Sequence, residues 1–299
     1  MEEWRRIRVA ASSANLGPGF DAIAIALSLF LECRFRPSQD LRIQVTGRDA
    51  GLIDGGPSNL IWRTAMETAR SAGSSMPCLE MEIQNQIPVG KGLGSSAAAL
   101  IAALAITNHV LGLGWSRDRI LDEGARREGH PDNAAACVLG SVVATALDSG
   151  GRTRAVRMEM PAGIAVAAVV PDYQLPTAEM RAVLPDSYAR ADAIFNLQRV
   201  ALLVAALSRG NREAFPAALE DRIHQPYRSH VIPGLEQILA LRAPGLLGCS
   251  LSGAGPSVLV LFEAGADGVV EKVRQIFHRH GLSAQVLAAQ VEPEGYRIC

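Results

Sequence analysis

Four side chains able to ligate a metal or move a proton stand within six positions, in Glu128-Gly129-His130-Pro131-Asp132-Asn133. A carboxylate accepts protons or holds a hard cation, an imidazole works as acid or base near neutral pH, and a carboxamide both donates and accepts. A lone Glu or His here would be an ordinary surface residue; a cluster beside a helix-breaking Pro is harder to explain as surface decoration. A second concentration lies in Ile87-Pro88-Val89-Gly90-Lys91-Gly92-Leu93-Gly94-Ser95-Ser96-Ala97-Ala98. Its glycines allow tight turns and close approach to a ligand. Ser95 and Ser96 stand where a helix starts, so hydroxyls, free N–H groups and the positive end of the helix dipole face one place. Such a loop holds phosphate. It is not a Walker A loop, because Gly92 follows Lys91, and its glycine spacing does not fit a dinucleotide fingerprint.

Three further segments carry polar chemistry. In Ala11-Ser12-Ser13-Ala14-Asn15-Leu16-Gly17-Pro18-Gly19-Phe20-Asp21, small residues and a Gly-Pro-Gly turn carry Asn15 and Asp21 between two strands. Together these two could hold an ammonium and a hydroxyl, although both residue types also favour plain turns. Thr177 and Arg181 are four apart and share a helix face. Arg181 offers a planar fork suited to a carboxylate. Arg228 could be a second clamp; by itself it reads as one more solvated arginine in a chain whose only lysines are Lys91 and Lys272. Gly253 and Gly255 make a turn between apolar runs that could be no more than a hairpin.

The elements that must carry these groups follow from hydrophobic period. Residues 5–11, 23–35, 41–46 and 79–83 read as strands, and 59–72 has helical spacing. The phosphate loop opens a very apolar helix, Ser95 to Leu111, that must be buried on most sides. Ser116 caps a helix continuing to about Arg127. Beyond Ser141, strands are expected at 142–147, 164–170, 246–251, 257–262 and 283–288, with helices at 187–208 and 268–280. The change of pattern places a domain boundary near residue 155, giving domains 1–155 and 156–299. With 299 residues, 48% hydrophobic and 20% charged, the chain has an ordinary globular composition large enough for two closely joined domains.

The net charge of −1 gives no support for a nucleic-acid partner. The N-terminal residues lack the apolar core of a signal peptide, and the apolar run 97–106 is too short to span a membrane. Cys33, Cys78, Cys137, Cys249 and Cys299 form no CxxC pairs, which suits a reducing, cytoplasmic setting without disulfides or a zinc site.

The phosphate loop closely resembles that of the GHMP kinases, in which a Pro is followed by Gly-Leu-Gly-Ser-Ser-Ala-Ala. The turn Leu251-Ser252-Gly253-Ala254-Gly255-Pro256-Ser257 is similar to the third motif of that family. The Asn15–Asp21 string, the Glu128–Asn133 cluster and the segments around Arg181 and Arg228 are similar to the branch of the family that acts on homoserine. After Asn133 the chain departs from that branch, with Ala134-Ala135-Ala136-Cys137-Val138-Leu139-Gly140-Ser141. These changes are small or apolar and touch packing rather than chemistry.

The resemblance implies an α+β, two-domain GHMP kinase fold. Its N-terminal domain would be ribosomal-protein-S5-domain-2-like and its C-terminal domain ferredoxin-like. It implies an ATP-dependent kinase for L-homoserine, with ATP and Mg2+, working as a homodimer without nucleic acid or membrane. Residues 88 to 98 with Gly253 and Gly255 would bind ATP, and Ser96 and Glu128 would hold the metal. Asn15, Asp21, His130, Asp132, Thr177, Arg181 and Arg228 would bind the acceptor, and Asn133 would shape the site. Asp132 is the candidate if a base exists. Lys91 would either add charge near the phosphates or face solvent. The alternatives are a GHMP kinase for another small alcohol (mevalonate, shikimate or a sugar) and a non-catalytic sensor on the same fold.

Overall fold

The structure, a computed structural model, describes residues 3–173 and 177–299, without the side chains of 177 and 178. The first domain is built from β1 (Arg5–Asn15), β2 (Gly19–Pro37), β3 (Arg42–Gly47), α1 (Leu60–Ser71), β4 (Leu79–Asn85), α2 (Ser95–Leu111), α3 (Arg117–Glu128), α4 (Asp132–Leu139), β5 (Val142–Leu147) and β6 (Thr153–Met158). Its sheet runs β11-β1-β2-β4-β3, where β11 is the C-terminal pair Arg297–Ile298. The 19-residue β2 pairs with β1 along one edge and serves two strands along the other: its second half pairs with β4, its first half with β5. The expected helix at 95–111 is α2, and its alanines allow close packing against the sheet; everything from Ala97 to Thr107 is buried. An all-round apolar helix is stable only in such a place.

The second domain follows with β7 (Ile164–Pro171), α5 (Thr177–Ala182), α6 (Arg190–Arg209), α7 (Phe215–Ala218), α8 (Gln225–Ser229), α9 (Leu235–Leu239), β8 (Leu246–Leu251), β9 (Val258–Glu263), α10 (Gly268–Arg279) and β10 (Ala284–Ala289). Its antiparallel sheet has the order β10-β7-β9-β8. With β7 first and β10 last in the chain, that order places the first and third strands at the centre, the ferredoxin-like arrangement. The period of two sorts its faces. Val166, Ala168, Leu259 and Leu261 join the core of the first domain, while Val169, Val258, Val260 and Phe262 pack with α10.

Residue 155 falls inside β6, which pairs with β5 in the first sheet. The change of sheet comes between Met158 and Ile164. The helix expected from 187 begins at Arg190. The short α4 has no counterpart among the expected helices; its run Ala134 to Val138 lies wholly in the core. Among the described residues one helix, α6, is long and apolar enough to cross a membrane by length and composition alone.

Candidate active site

The phosphate loop sits on β1 and on the 252–255 turn of the second domain. Ser12 N–H donates to the Leu93 carbonyl, and Ser252 Oγ donates to the Gly92 carbonyl at 2.7 Å while lying 2.8 Å from Ser13 Oγ. Gly92 (φ +79) and Gly94 (φ +70) are left-handed, and a Cβ on either would collide with Ser252 O or Ser12 Oγ. Glycine is therefore required twice over, by conformation and by space. Gly94 leads into α2 without a side-chain cap, so the first N–H groups of that helix are left to the cleft. Asp49 anchors the start of the loop by accepting from Val89 N at 2.9 Å.

Val89, Gly90, Gly92, Gly94, Ser95 and Ser96 line a cleft of about 500 Å3 between the domains. Pro88, Leu93, Ala97 and Ala98 lie behind it in the buried layer, and Gly253 lines it while Gly255 does not. Lys91 is neither at the phosphate site nor facing solvent. Its ammonium donates to the carbonyls of Tyr173 (2.9 Å) and Pro171 (3.2 Å), pinning the loop to the end of β7. Both expectations for Lys91 are thus corrected: backbone carbonyls satisfy a charge that could otherwise have met phosphate or water.

Glu128 ends α3 and meets the first turn of α2, where Ser96 Oγ donates to Glu128 Oε1 at 2.7 Å. Two hard oxygens this close match the edge of a magnesium octahedron, about 3 Å for bonds of about 2.1 Å. The pair therefore fits Mg2+. Next along the chain, His130 Nδ1 lies 2.6 Å from Asp132 Oδ1, which also accepts from Asn133 N at 2.7 Å. Asp132 Oδ2 is buried and has no partner among the described residues. A carboxylate oxygen deprived of both water and a protein donor is costly unless a ligand supplies the donor. Asn133 Oδ1 accepts from Ser12 Oγ at 2.8 Å, which leaves its NH2 as the end available to the cleft it lines.

Asp21 faces this group from the start of β2, just past the β1–β2 turn. Asn15, Leu16, Gly17 and Asp21 all have positive φ. Strained backbone of this kind is held in place by its surroundings and concentrates at functional sites. Both ends of the Asn15 carboxamide are engaged, donating to Gly253 O at 3.0 Å and accepting from Asp21 N at 3.1 Å. Asn15 thus shapes the turn as well as lining the cleft. Burial raises the Asp21 pKa above 3.8, aided by Asp132 and opposed by His130, Arg181 and Arg228. Burial alone would lower the His130 pKa, but the Asp132 hydrogen bond and the charges of Asp132, Asp21 and Glu128 raise it overall. Asp21, His130 and Asp132 have ligating atoms within 4.8 Å of one another, yet a set containing imidazole suits Mg2+ less than Ser96 and Glu128 do.

Two guanidinium groups close this end. Arg181 Nη2 lies 3.7 Å from Asp21 Oδ1, on a side chain about half exposed. Arg228, which alone reads as a solvated residue, is instead the bulkiest fully buried side chain among the described residues. It donates to Met180 O (3.2 Å) and Gly253 O (3.0 Å), and burial lowers its pKa to about 10 against the pull of Asp21. The Thr177 side chain lies outside the described residues. Two groups of site residues carry no sequence signal that would single them out. Leu52, Ile53, Leu60, Ile61 and Ile83 give the far end of the cleft an apolar wall. Asp221 and His224 support Arg228 from behind.

The arrangement couples an anion site at a helix N-terminus to paired carboxylates and guanidinium groups, which is what a phosphotransferase for a zwitterionic acceptor needs. Residues 59–141 match the family pattern of the GHMP kinases N terminal domain, and residues 203–279 that of GHMP kinases C terminal. The chain belongs to the GHMP kinases. It is 57% identical to a homoserine kinase of Solibacter usitatus, over 99% of this chain and 97% of that one. It is 38% identical to a homoserine kinase of Deinococcus radiodurans, covering 97% and 95% of the two chains. Among the GHMP kinases, it is a member of the homoserine kinase family. The crystal structure of a homoserine kinase from Cytophaga hutchinsonii superposes with a TM-score of 0.86 at 26% identity, over 100% of this chain and 98% of that one. A Lactococcus lactis galactokinase shares the fold, with a TM-score of 0.69 at 15% identity over 99% and 95%.

Proposed function

We propose that this enzyme transfers the γ-phosphoryl group of ATP to the hydroxyl of L-homoserine, giving O-phospho-L-homoserine for threonine biosynthesis. The observation that carries the reading is the unpartnered Asp132 Oδ2, buried in the cleft between Asp21 and the phosphate loop. An ammonium group supplies the missing donor. Arg228 and Arg181 take the carboxylate carried by the same carbon. The NH2 of Asn133 donates to the acceptor hydroxyl, whose oxygen then faces the loop for in-line attack.

ATP lies with its phosphates along Val89 to Ser96 and its base toward Leu60, Ile61 and Ile83. Ser96 and Glu128 hold Mg2+, which neutralises phosphate charge when bound. A loose phosphoryl transfer asks little of a base, and the Asn133 amide cannot take a proton. With Asp132 on the ammonium, the hydroxyl proton leaves with the transferred group or to water. The site therefore works by positioning and charge, and Asp132 binds rather than deprotonates.

The enzyme acts in the cytoplasm, consistent with its free cysteines. It works as a homodimer, for which α6 offers an exposed apolar stripe. The test of the reaction is direct. With Mg-ATP, the purified protein releases ADP on addition of L-homoserine and gives a new phosphomonoester resonance by 31P NMR, while mevalonate and galactose give neither. Turnover of those alcohols with homoserine inert would sink the reading.

A further inference from the structure

His224 is fully buried where the two domains meet, and the phosphoryl transfer gives it no direct part. Its Nδ1 lies 3.2 Å from Arg228 Nη1 and its Nε2 lies 2.7 Å from the Gly17 carbonyl oxygen. A guanidinium only donates, so Nδ1 accepts; a carbonyl only accepts, so Nε2 carries the proton. The neutral Nε2–H tautomer alone satisfies both partners. Burial pushes the His224 pKa below 6.5 and Arg228 pushes the same way, while Asp221 and the Gly17 carbonyl oppose them. Asp221 already accepts from Asn196 Nδ2 and from the N–H groups of Ile223, His224 and Gln225. The ring also packs on Phe20, with centroids 5.3 Å apart and a 30° tilt.

These contacts join the two halves of the acceptor site. Gly17 in the β1–β2 turn and Phe20 at the start of β2 flank the bend that presents Asp21, and Arg228 presents the guanidinium. An α-amino acid carries its ammonium and carboxylate on one carbon, so its binding needs those halves at a fixed separation. We infer that His224 is a positioning residue for the acceptor. Bonded at once to Gly17 and Arg228, it holds the Asp21 turn in register with the guanidinium and so favours an α-amino acid alcohol. This inference rests on homoserine as the acceptor.

The test is steady-state kinetics of wild type, His224→Phe and His224→Gln, varying homoserine and ATP separately from about pH 5 to pH 8. Phe keeps the ring but loses both bonds, so the KM for homoserine rises about tenfold or more while that for ATP stays within about twofold. Gln has a donor and an acceptor and restores most of the loss. Protonating Nδ1 would set a proton against Arg228, and burial holds that protonation below the ordinary imidazole range, so any acid rise in the wild-type KM for homoserine that it causes is smaller in the Gln variant. The charged groups facing the ring are Asp221 and Arg228 on its own segment. From the first domain it meets the uncharged Gly17 carbonyl and Phe20, with Asp21 beyond, whose titration is common to both proteins.

Should the Phe variant fail to fold, His224→Asn, too short to reach both partners at once, takes its place, and an unmoved KM for homoserine in it overturns the inference. A folded Phe variant with unmoved KM for homoserine overturns it, as does an equal rise in both KM values. A wild type silent with homoserine overturns both readings; an active one with an unmoved KM overturns this one alone.

Discussion

Glu128 is where a single oxygen decides most. It meets Ser96 at 2.7 Å with only 11% of its side chain exposed, so its charge faces the cleft rather than bulk water. Glu128→Gln keeps the shape and an acceptor for Ser96 but removes the charge that holds the metal. Turnover is expected to fall about a hundredfold or more, with thermal stability little changed. Raising Mg2+ recovers part of the loss, because weaker metal binding is its cause. Wild-type turnover in this variant removes Glu128 from the site. At this scale the sequence showed which residues matter better than what each one touches. The cluster Glu128–Asn133 was legible because reactive types crowd into six positions. Lys91 and Arg228 were not, since a long cation looks the same in sequence whether it meets phosphate, carbonyls or solvent. His224 carries no signal of its own in the sequence, and only the fold brings it against Gly17.

Among the elements, the phosphate loop shows how two domains constrain one turn. Gly90 and Gly92 are both left-handed, at φ +68 and +79. A Cβ at Gly90 would meet nothing within 4 Å, whereas one at Gly92 would strike the Ser252 carbonyl. Gly90→Ala is therefore expected to cost only the backbone term, about 1 kcal/mol. Gly92→Ala must also push the 252–255 turn away, costing about 2–4 kcal/mol and raising the KM for ATP more than that for homoserine. Denaturant unfolding of the two variants, paired with both KM values, checks this, and equal losses would refute the contact as the cause. Most elements were legible because their period is strong: α2 begins and ends at Ser95 and Leu111, as its apolar run and flanking glycine suggest. The short α4 was obscured because its residues have no polar face, and β6 because a two-residue-period edge strand resembles the loop beside it.

On the scale of the whole molecule, the two domains share a core, yet α6 leaves apolar surface uncovered. Only Asn196, Leu203, Ala206 and Leu207 of its 20 residues are buried. Leu197 is 71% exposed and Ile194 42%, and Ala201 and Ala205 continue their stripe along the same face. A two-fold axis through Ala201 would set two copies antiparallel, with Leu197 near Ala205 of the second copy. The alanines allow close approach. Burying one leucine side chain contributes about 2 kcal/mol, and the symmetry counts it twice. Leu197→Glu is therefore expected to weaken association by about a thousandfold or more. Light scattering should give twice the chain mass for wild type and a single chain mass for the variant at micromolar concentration. Homoserine turnover should survive in the monomer, because no residue of α6 lines the cleft. A wild type that stays at one chain mass, or a variant that keeps the wild-type mass, would remove α6 as the interface.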